Sequence, residues 1–70
     1  MNRAEIFQVD PEILGGTPVF TGTRVPVQNL FDYLEAGETV EDFLTGFPSV
    51  RRDQVTGVLQ TLKDQLLASR

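Results

Sequence analysis

The clearest pattern in the chain is a helical spacing of apolar residues that begins just after Pro26. Four apolar residues recur at i, i+3, i+4 and i+7: Val27, Leu30, Phe31 and Leu34. This spacing places them on one face of a helix, and a proline suits the first turn. Gly37 supplies the left-handed residue that commonly ends a helix. The pattern therefore predicts an amphipathic helix between Pro26 and Gly37.

Two further helices are predicted farther along the chain. Thr39 can cap a short one, whose first turn is acidic and which ends at Gly46. A longer helix begins within residues 49–52 and keeps one face apolar for about three turns. Its apolar residues are Val55, Val58, Leu59, Leu62 and Leu66. Gly57 lies inside this helix, where glycine is disfavoured. Either another helix or DNA approaches closely at this position, or the helix simply tolerates a glycine on its surface.

The first half of the chain favours short strands instead. Residues 6–9 are a strand candidate, and residues 18–20 and 23–25 are two extended pieces around Thr21 and Gly22. β-branched and aromatic residues that flank a glycine are typical of a hairpin. We therefore expect short strands or a hairpin before the helices.

These elements predict a mainly α protein with a single domain over residues 1–70. Residues 1–25 form a strand-and-turn arm, and residues 26–67 form a three-helix core. A short helix, a glycine-containing turn and a longer helix are the components of a helix-turn-helix motif. The predicted fold is thus a three-helix helix-turn-helix core preceded by short N-terminal β-strands or a hairpin.

The third predicted helix is the candidate DNA-binding element, because a helix-turn-helix places its second helix in the major groove. The candidate contacts are the polar residues expected on its outer face: Arg51, Arg52, Gln54, Thr56, Gln60 and Lys63. Arginine can bond guanine, and glutamine can bond adenine, through two hydrogen bonds. Glu41 and Asp42 lie on the preceding helix and need not oppose this patch directly, whereas Asp53 and Asp64 are nearer and dilute it. The same residue types would also form an ordinary solvated face.

Charge and length change this picture in two ways. The chain has 70 residues, with six basic and ten acidic side chains and a formal net charge of −4, so strong sequence-independent binding to DNA is not expected. A chain this short buries little surface and has no cysteine for a disulfide, and we therefore expect a homodimer.

The chain lacks the apolar core of a signal peptide and any apolar run of roughly 20 residues, which predicts a cytoplasmic protein without membrane contact.

Catalysis has little support in the composition. The chain has no histidine and no cysteine, which removes the commonest general base, the thiol nucleophile and the commonest metal ligands. The glycines around residue 15 lack the residue order of a phosphate-binding loop. We therefore predict that the protein is not an enzyme and has no catalytic residue, metal site or cofactor.

Four residues are candidates for contacts with a partner protein or with a second copy of the chain: Arg24, Leu62, Leu66 and Leu67. The three leucines exceed what a small core needs. Arg24 could bind a partner carboxylate, a phosphate or an acid of its own chain, and an intramolecular ion pair is the favoured outcome. A protein-interaction module that does not touch DNA is therefore the alternative function.

The chain also resembles the family catalogued as domain of unknown function 433. Residues 10–27 read Asp-Pro-Glu-Ile-Leu-Gly-Gly-Thr-Pro-Val-Phe-Thr-Gly-Thr-Arg-Val-Pro-Val. Members of that family typically read Asp-Pro-Glu-x-x-x-Gly-x-Pro-x-x-x-Gly-Thr-Arg-(Ile/Val)-Pro-Val. The helix that ends in Ala36-Gly37, the acidic short helix and the Phe47-Pro48 pair also match, so the resemblance runs from residue 6 to residue 62.

This resemblance implies both a fold and a function. Such proteins are regarded as antitoxins similar to the VapB class, with a three-helix, homeodomain-like DNA-binding core. They are often encoded beside a PIN-like ribonuclease toxin, and antitoxins of this kind usually dimerise, bind their own operator and neutralise the toxin by direct contact. The chain departs from the pattern at the start of the third helix, where Arg51 and Arg52 replace the usual Ser or Thr cap. Positive charge at this position supports DNA contact.

Overall fold

The computed structural model describes residues 2–68, and the chain in this range is mostly helical with a short two-stranded antiparallel sheet near its N-terminus. The elements are α1 (Arg3–Ile6), β1 (Phe7–Gln8), a 3-10 turn (Leu14–Gly16), β2 (Val19–Phe20), α2 (Val27–Glu35), α3 (Val40–Gly46) and α4 (Arg52–Ala68). No helix within residues 2–68 is both long enough and apolar enough to cross a membrane. The three longer helices occupy the segments that the apolar spacing predicts.

The boundary between α2 and α3 follows from local rules. Gly37 adopts a φ of 84°, and its N–H donates to the carbonyl of Leu34 at 3.1 Å, which ends α2. The Thr39 hydroxyl then accepts from the N–H of Asp42 at 3.1 Å, and the Asp42 carboxylate accepts from the N–H of Thr39 at 3.0 Å. This reciprocal capping box fixes the start of α3. The predicted glycine end and threonine cap are both confirmed.

The N-terminal arm differs from the prediction at its beginning. Residues 3–6 form the helical turn α1, because the Asn2 side chain caps it by accepting from the N–H of Glu5. The predicted strand over residues 6–9 is therefore shortened to β1, which pairs with β2 in the register Phe7↔Phe20. The opposite edge of β2 is also bonded, since the Phe20 N–H donates to the carbonyl of Val25 at 3.0 Å. The predicted hairpin around Gly22 is thus present together with the β1–β2 ladder.

The core lies where the arm meets the three longer helices. Its buried apolar residues are Ile6, Val19, Phe20, Leu30, Phe43, Val50, Val55 and Val58. Phe43 is central, with its ring centroid 5.8 Å from that of Phe20 and 5.5 Å from that of Tyr33. Because β2, α2 and α3 each supply one of these rings, their contact holds the arm, α2 and α3 together.

Candidate nucleic-acid and protein interfaces on the last helix

The junction between α3 and α4 is held by two apolar side chains. Phe47 is half-buried with its ring centroid 5.0 Å from that of Phe43, and Val50 is 4% exposed. The N–H of Phe47 donates to the carbonyl of Phe43 at 2.9 Å, and the N–H of Val50 donates to the carbonyl of Phe47 at 3.0 Å. These contacts turn the chain tightly from α3 into α4 and connect the start of α4 to the core.

Gln54 is a structural residue in the first turn of α4. It is 1% exposed, so the prediction that it lies on the outer face and contacts DNA is wrong for this structure. Its Oε1 accepts from the N–H of Arg51 at 3.0 Å, and its Nε2 donates to the carbonyls of Glu5 at 3.2 Å and Thr21 at 3.0 Å. A neutral amide that donates and accepts is the side chain that satisfies all three groups. Gln54 therefore ties the start of α4 to two points of the arm.

Gly57 has a packing reason to be glycine. A Cβ built on it would lie 2.7 Å from Cδ1 and 2.9 Å from Cγ1 of Ile6, which is buried. The approach of α1 to α4 at this point leaves no room for a methyl group. Of the explanations open for this glycine, the close approach of another helix is confirmed.

The outer face of α4 carries a polar row that we call the recognition row: Arg52, Thr56, Gln60 and Lys63. Their spacings of four, four and three residues place them on one side of the helix, and all four are exposed. Arg52, Thr56 and Gln60 line an open groove of about 710 Å³, and Thr56, Gln60 and Lys63 line the hollow that follows it. The structure thus brings together four of the six predicted DNA-binding residues.

Both arginines at the start of α4 are paired with carboxylates. Arg51 Nε lies 3.0 Å from Asp53 Oδ1, and Arg52 Nη1 lies 2.8 Å from Glu41 Oε1. Glu41 therefore does oppose this patch directly, a point that the sequence left open. The hydrogen bond from Arg52 holds the pKa of the Glu41 carboxyl below its ordinary value. Helical periodicity does not reveal this pair, because it depends on how α3 turns into α4.

A surface rich in carboxylates lies at the end of α2 and along α3. Five exposed acidic residues occupy this region, and no lysine or arginine lies between residues 25 and 50. They are Asp32, Glu35, Glu38, Glu41 and Asp42, and we call them the acidic face. Hydrogen bonds from the backbone and side chain of Thr39 lower the pKa of the Asp42 carboxyl. The Asp42 carboxyl therefore stays ionised at neutral pH.

The last turns of α4 extend beyond the core. Val55 and Val58 are buried, whereas Leu62 is 43%, Leu66 74% and Leu67 55% exposed. The inner apolar face predicted from the sequence is thus divided into a buried first part and an exposed second part. All three leucines predicted as partner or dimer contacts lie in the exposed part, accessible to another molecule.

Arg24 lies in the arm, after the turn at Gly22. Its side chain is exposed, and no carboxylate within residues 2–68 forms an ion pair with it. The favoured intramolecular ion pair is therefore absent in this structure. Its alternatives, a partner carboxylate or a phosphate, stay predictions.

Comparison with known proteins places the chain in a family. The family described as Protein of unknown function (DUF433) matches residues 8–60, about three quarters of the chain. The chain belongs to this family. An uncharacterized protein y4eO of Sinorhizobium fredii (strain NBRC 101917 / NGR234) is 45% identical over 51 residues, which cover 73% of this chain and 23% of that protein. The chain thus spans about a quarter of the relative's length, and no solved structure matches it.

The family match divides α4 of this DUF433 protein into two parts. Residues up to 60 are matched, including the paired arginines, Thr56 and Gln60. Lys63 and the exposed leucines at positions 62, 66 and 67 lie beyond the matched residues. The family match thus includes the first turns of α4 and ends before its last turns.

Proposed function

We propose that this DUF433 protein is the antitoxin of a toxin-antitoxin pair, which binds operator DNA through α4 and neutralises a partner ribonuclease of the PIN-like class. The observation that carries the DNA-binding part is the recognition row, four exposed polar residues on one side of a helix. The toxin-binding part rests on the resemblance of residues 6–62 to the DUF433 family, whose members are regarded as antitoxins similar to the VapB class.

The recognition row suits the major groove chemically. An arginine can bond the edge of guanine, a glutamine can bond adenine, and the methyl group of a threonine can contact thymine. Arg52, Thr56 and Gln60 provide these three groups in successive turns of α4, and Lys63 follows at a position suited to a phosphate. The short helix α3 and the tight, hydrogen-bonded junction before α4 support a helix-turn-helix arrangement.

The ion pairs of Arg51 and Arg52 weaken this DNA contact but do not prevent it. Both pairs are exposed, with side-chain exposures of 59–65%. Exposed ion pairs contribute little to stability because water screens them, so a phosphate or a guanine edge can displace the carboxylate partner. With a net charge of −4, we expect DNA binding that is selective for sequence and strongly weakened by salt.

A fluorescence-anisotropy titration with the DNA upstream of the protein's own gene tests this function. We expect specific binding over a scrambled duplex, and Gln60→Ala and Lys63→Ala should each weaken it, with Lys63→Ala also reducing the salt dependence by about one phosphate contact. Gln28→Ala is the matched control, because Gln28 is an exposed glutamine on α2. No binding at low salt, or equal loss in the Gln28 variant, would contradict the assignment.

The acidic face favours a second candidate, a protein-interaction module that does not bind DNA. Of its five carboxylates, Glu41 is paired with Arg52, and the other four form an exposed acidic surface that suits a basic protein partner. Under this function the product of the neighbouring gene binds the chain, and Glu35→Gln together with Glu38→Gln weakens that complex. The recognition-row variants would then leave the complex unchanged. Tight partner binding combined with no anisotropy change on DNA would favour this candidate over the first.

A further inference from the structure

We propose that the exposed leucines of α4 and an apolar groove beside them form a two-fold contact between two copies of this chain. The leucine row is Leu59, Leu62 and Leu66, which recur at i, i+3 and i+7 and lie on one side of the helix. Their exposed fractions are 37%, 43% and 74%. Leu67 lies about 100° farther round the helix than Leu66 and four residues after Lys63, so it lies on the side of the recognition row and outside the leucine row.

The groove next to this row is shaped to receive an apolar side chain. It has a volume of about 170 Å³ and is walled by Phe7, Val27, Phe31 and Leu62, which come from β1, α2 and α4. Leu62 belongs to both the row and the groove, so the two features form one continuous apolar surface. The groove has room for a leucine side chain, and Leu66 projects one turn beyond Leu62.

A surface that carries both a projecting leucine and a receiving groove can complement a second copy of itself. In a two-fold contact every pairwise contact occurs twice, once in each direction. Leu66 of each chain therefore enters the groove of the other chain. Two α4 helices that pass each other in opposite directions bring the projecting and receiving parts together in this way. A short chain also gains most from such a contact, because its own core buries little surface. The chain exposes 4689 Å², compared with about 4,400 Å² for a compact monomer of its mass.

The distribution of charge favours a second copy over a charged partner at this surface. Of the described side chains that line the groove, only Arg3 is charged, and its guanidinium lies 5.5 Å from the centroid of the Phe7 ring. The acidic face is formed by α2 and α3 and contributes no residue to the groove. Two copies can therefore meet without placing carboxylates against each other, whereas a basic partner would find no opposite charge here.

This contact goes beyond the proposed function and does not depend on it. A dimer held by the leucine row would present two recognition rows, as a palindromic operator requires. Its own test needs no DNA and no partner protein. Dimer formation without DNA binding would leave this inference standing and contradict only the operator assignment.

Analytical ultracentrifugation of the full chain, from micromolar to submillimolar concentration, tests the contact. We expect a reversible dimer whose dissociation constant rises about 30-fold or more in Leu66→Ala, because two leucines leave the apolar contact in each dimer. Leu66→Glu should be monomeric. Leu14→Ala is the matched control: Leu14 is 51% exposed, similar to the leucine row, but lies in the 3-10 turn and outside the groove. Its dimer should equal that of the wild-type chain.

Salt gives a second, independent criterion. The surface is apolar and both copies are acidic overall, so added salt should leave the dimer unchanged or strengthen it by screening repulsion. A chain that stays monomeric at submillimolar concentration would overturn the proposal, and so would a dimer that persists in Leu66→Glu or dissociates in salt. Circular dichroism should show the same helix content in every variant, because each substituted leucine is exposed.

Discussion

Gln54 offers the sharpest test of how the start of α4 is held. Its side chain is 1% exposed and makes three hydrogen bonds, to the backbone of Arg51, Glu5 and Thr21. Gln54→Met keeps most of the volume and removes all three bonds. At about 1 kcal/mol net for each bond, the free energy of unfolding should fall by about 2–4 kcal/mol. A domain of this size has about 4–10 kcal/mol in total, so the loss is large.

Two further substitutions separate the contributions of packing and polarity. Gln54→Ala also leaves a cavity, and it should lower the free energy of unfolding by about 1–2 kcal/mol more than Gln54→Met. Gln54→Glu keeps the shape but loses both donated bonds and places a buried carboxylate beside two carbonyl oxygens. Burial disfavours the charged form, so the pKa of this carboxyl in the folded state should exceed its value in the unfolded chain. When protonated, the carboxyl can still donate one of the two bonds. The destabilisation is therefore smallest below the unfolded-state pKa and grows as the pH rises from that value through the folded-state pKa.

Urea unfolding followed by far-ultraviolet circular dichroism measures these differences. With a slope of about 1 kcal/mol per molar urea for a small domain, Gln54→Met should lower the midpoint by about 2–4 M. Gln60→Ala is the matched control, an exposed glutamine on the same helix, and should change stability by no more than about 0.5 kcal/mol. The reasoning is refuted if Gln54→Met behaves like this control, or if Gln54→Glu is equally unstable at neutral and mildly acidic pH.

Three other predictions test separate contacts. Gly57→Ala should lower the free energy of unfolding by about 1–3 kcal/mol despite the better helix propensity of alanine, because the added methyl group meets Ile6. Adding Ile6→Val removes the nearest methyl group of that side chain and should recover part of the loss, as measured by urea unfolding of the double variant. In an NMR titration, the pKa of the Asp42 carboxyl should lie below its ordinary value. The stabilising effect of this carboxylate is then lost only as the pH falls through the lowered pKa. Thr39→Ala should raise the pKa of Asp42, because it removes the hydroxyl of the capping box. Glu41→Gln should strengthen DNA binding about threefold or more at low salt, because it releases Arg52 from its ion pair and removes a negative charge. An unchanged affinity in the anisotropy titration would contradict a contact between Arg52 and DNA.

Some features of this protein follow from the sequence alone, because their causes act within a few residues. The apolar spacing at positions 27, 30, 31 and 34 predicts α2, and the turn to α3 needs only Gly37 and the capping pair of Thr39 and Asp42. The hairpin around Gly22 is equally local. Helical spacing also suffices to place Arg52, Thr56, Gln60 and Lys63 on one side of α4.

Other features were decided only by the tertiary structure, because they depend on residues far apart in the chain. Nothing near Gln54 distinguishes it from an exposed glutamine, and its burial follows from the carbonyl of Glu5, 49 residues away. The need for glycine at position 57 depends on the approach of Ile6, and the pairing of Arg52 depends on how α3 turns into α4. Apolar periodicity continues along α4 past Val58, but the arm and α2 are too short to cover the leucines that follow. Local rules set where helices begin and end, whereas burial and ion pairing depend on which segments the folded chain brings together.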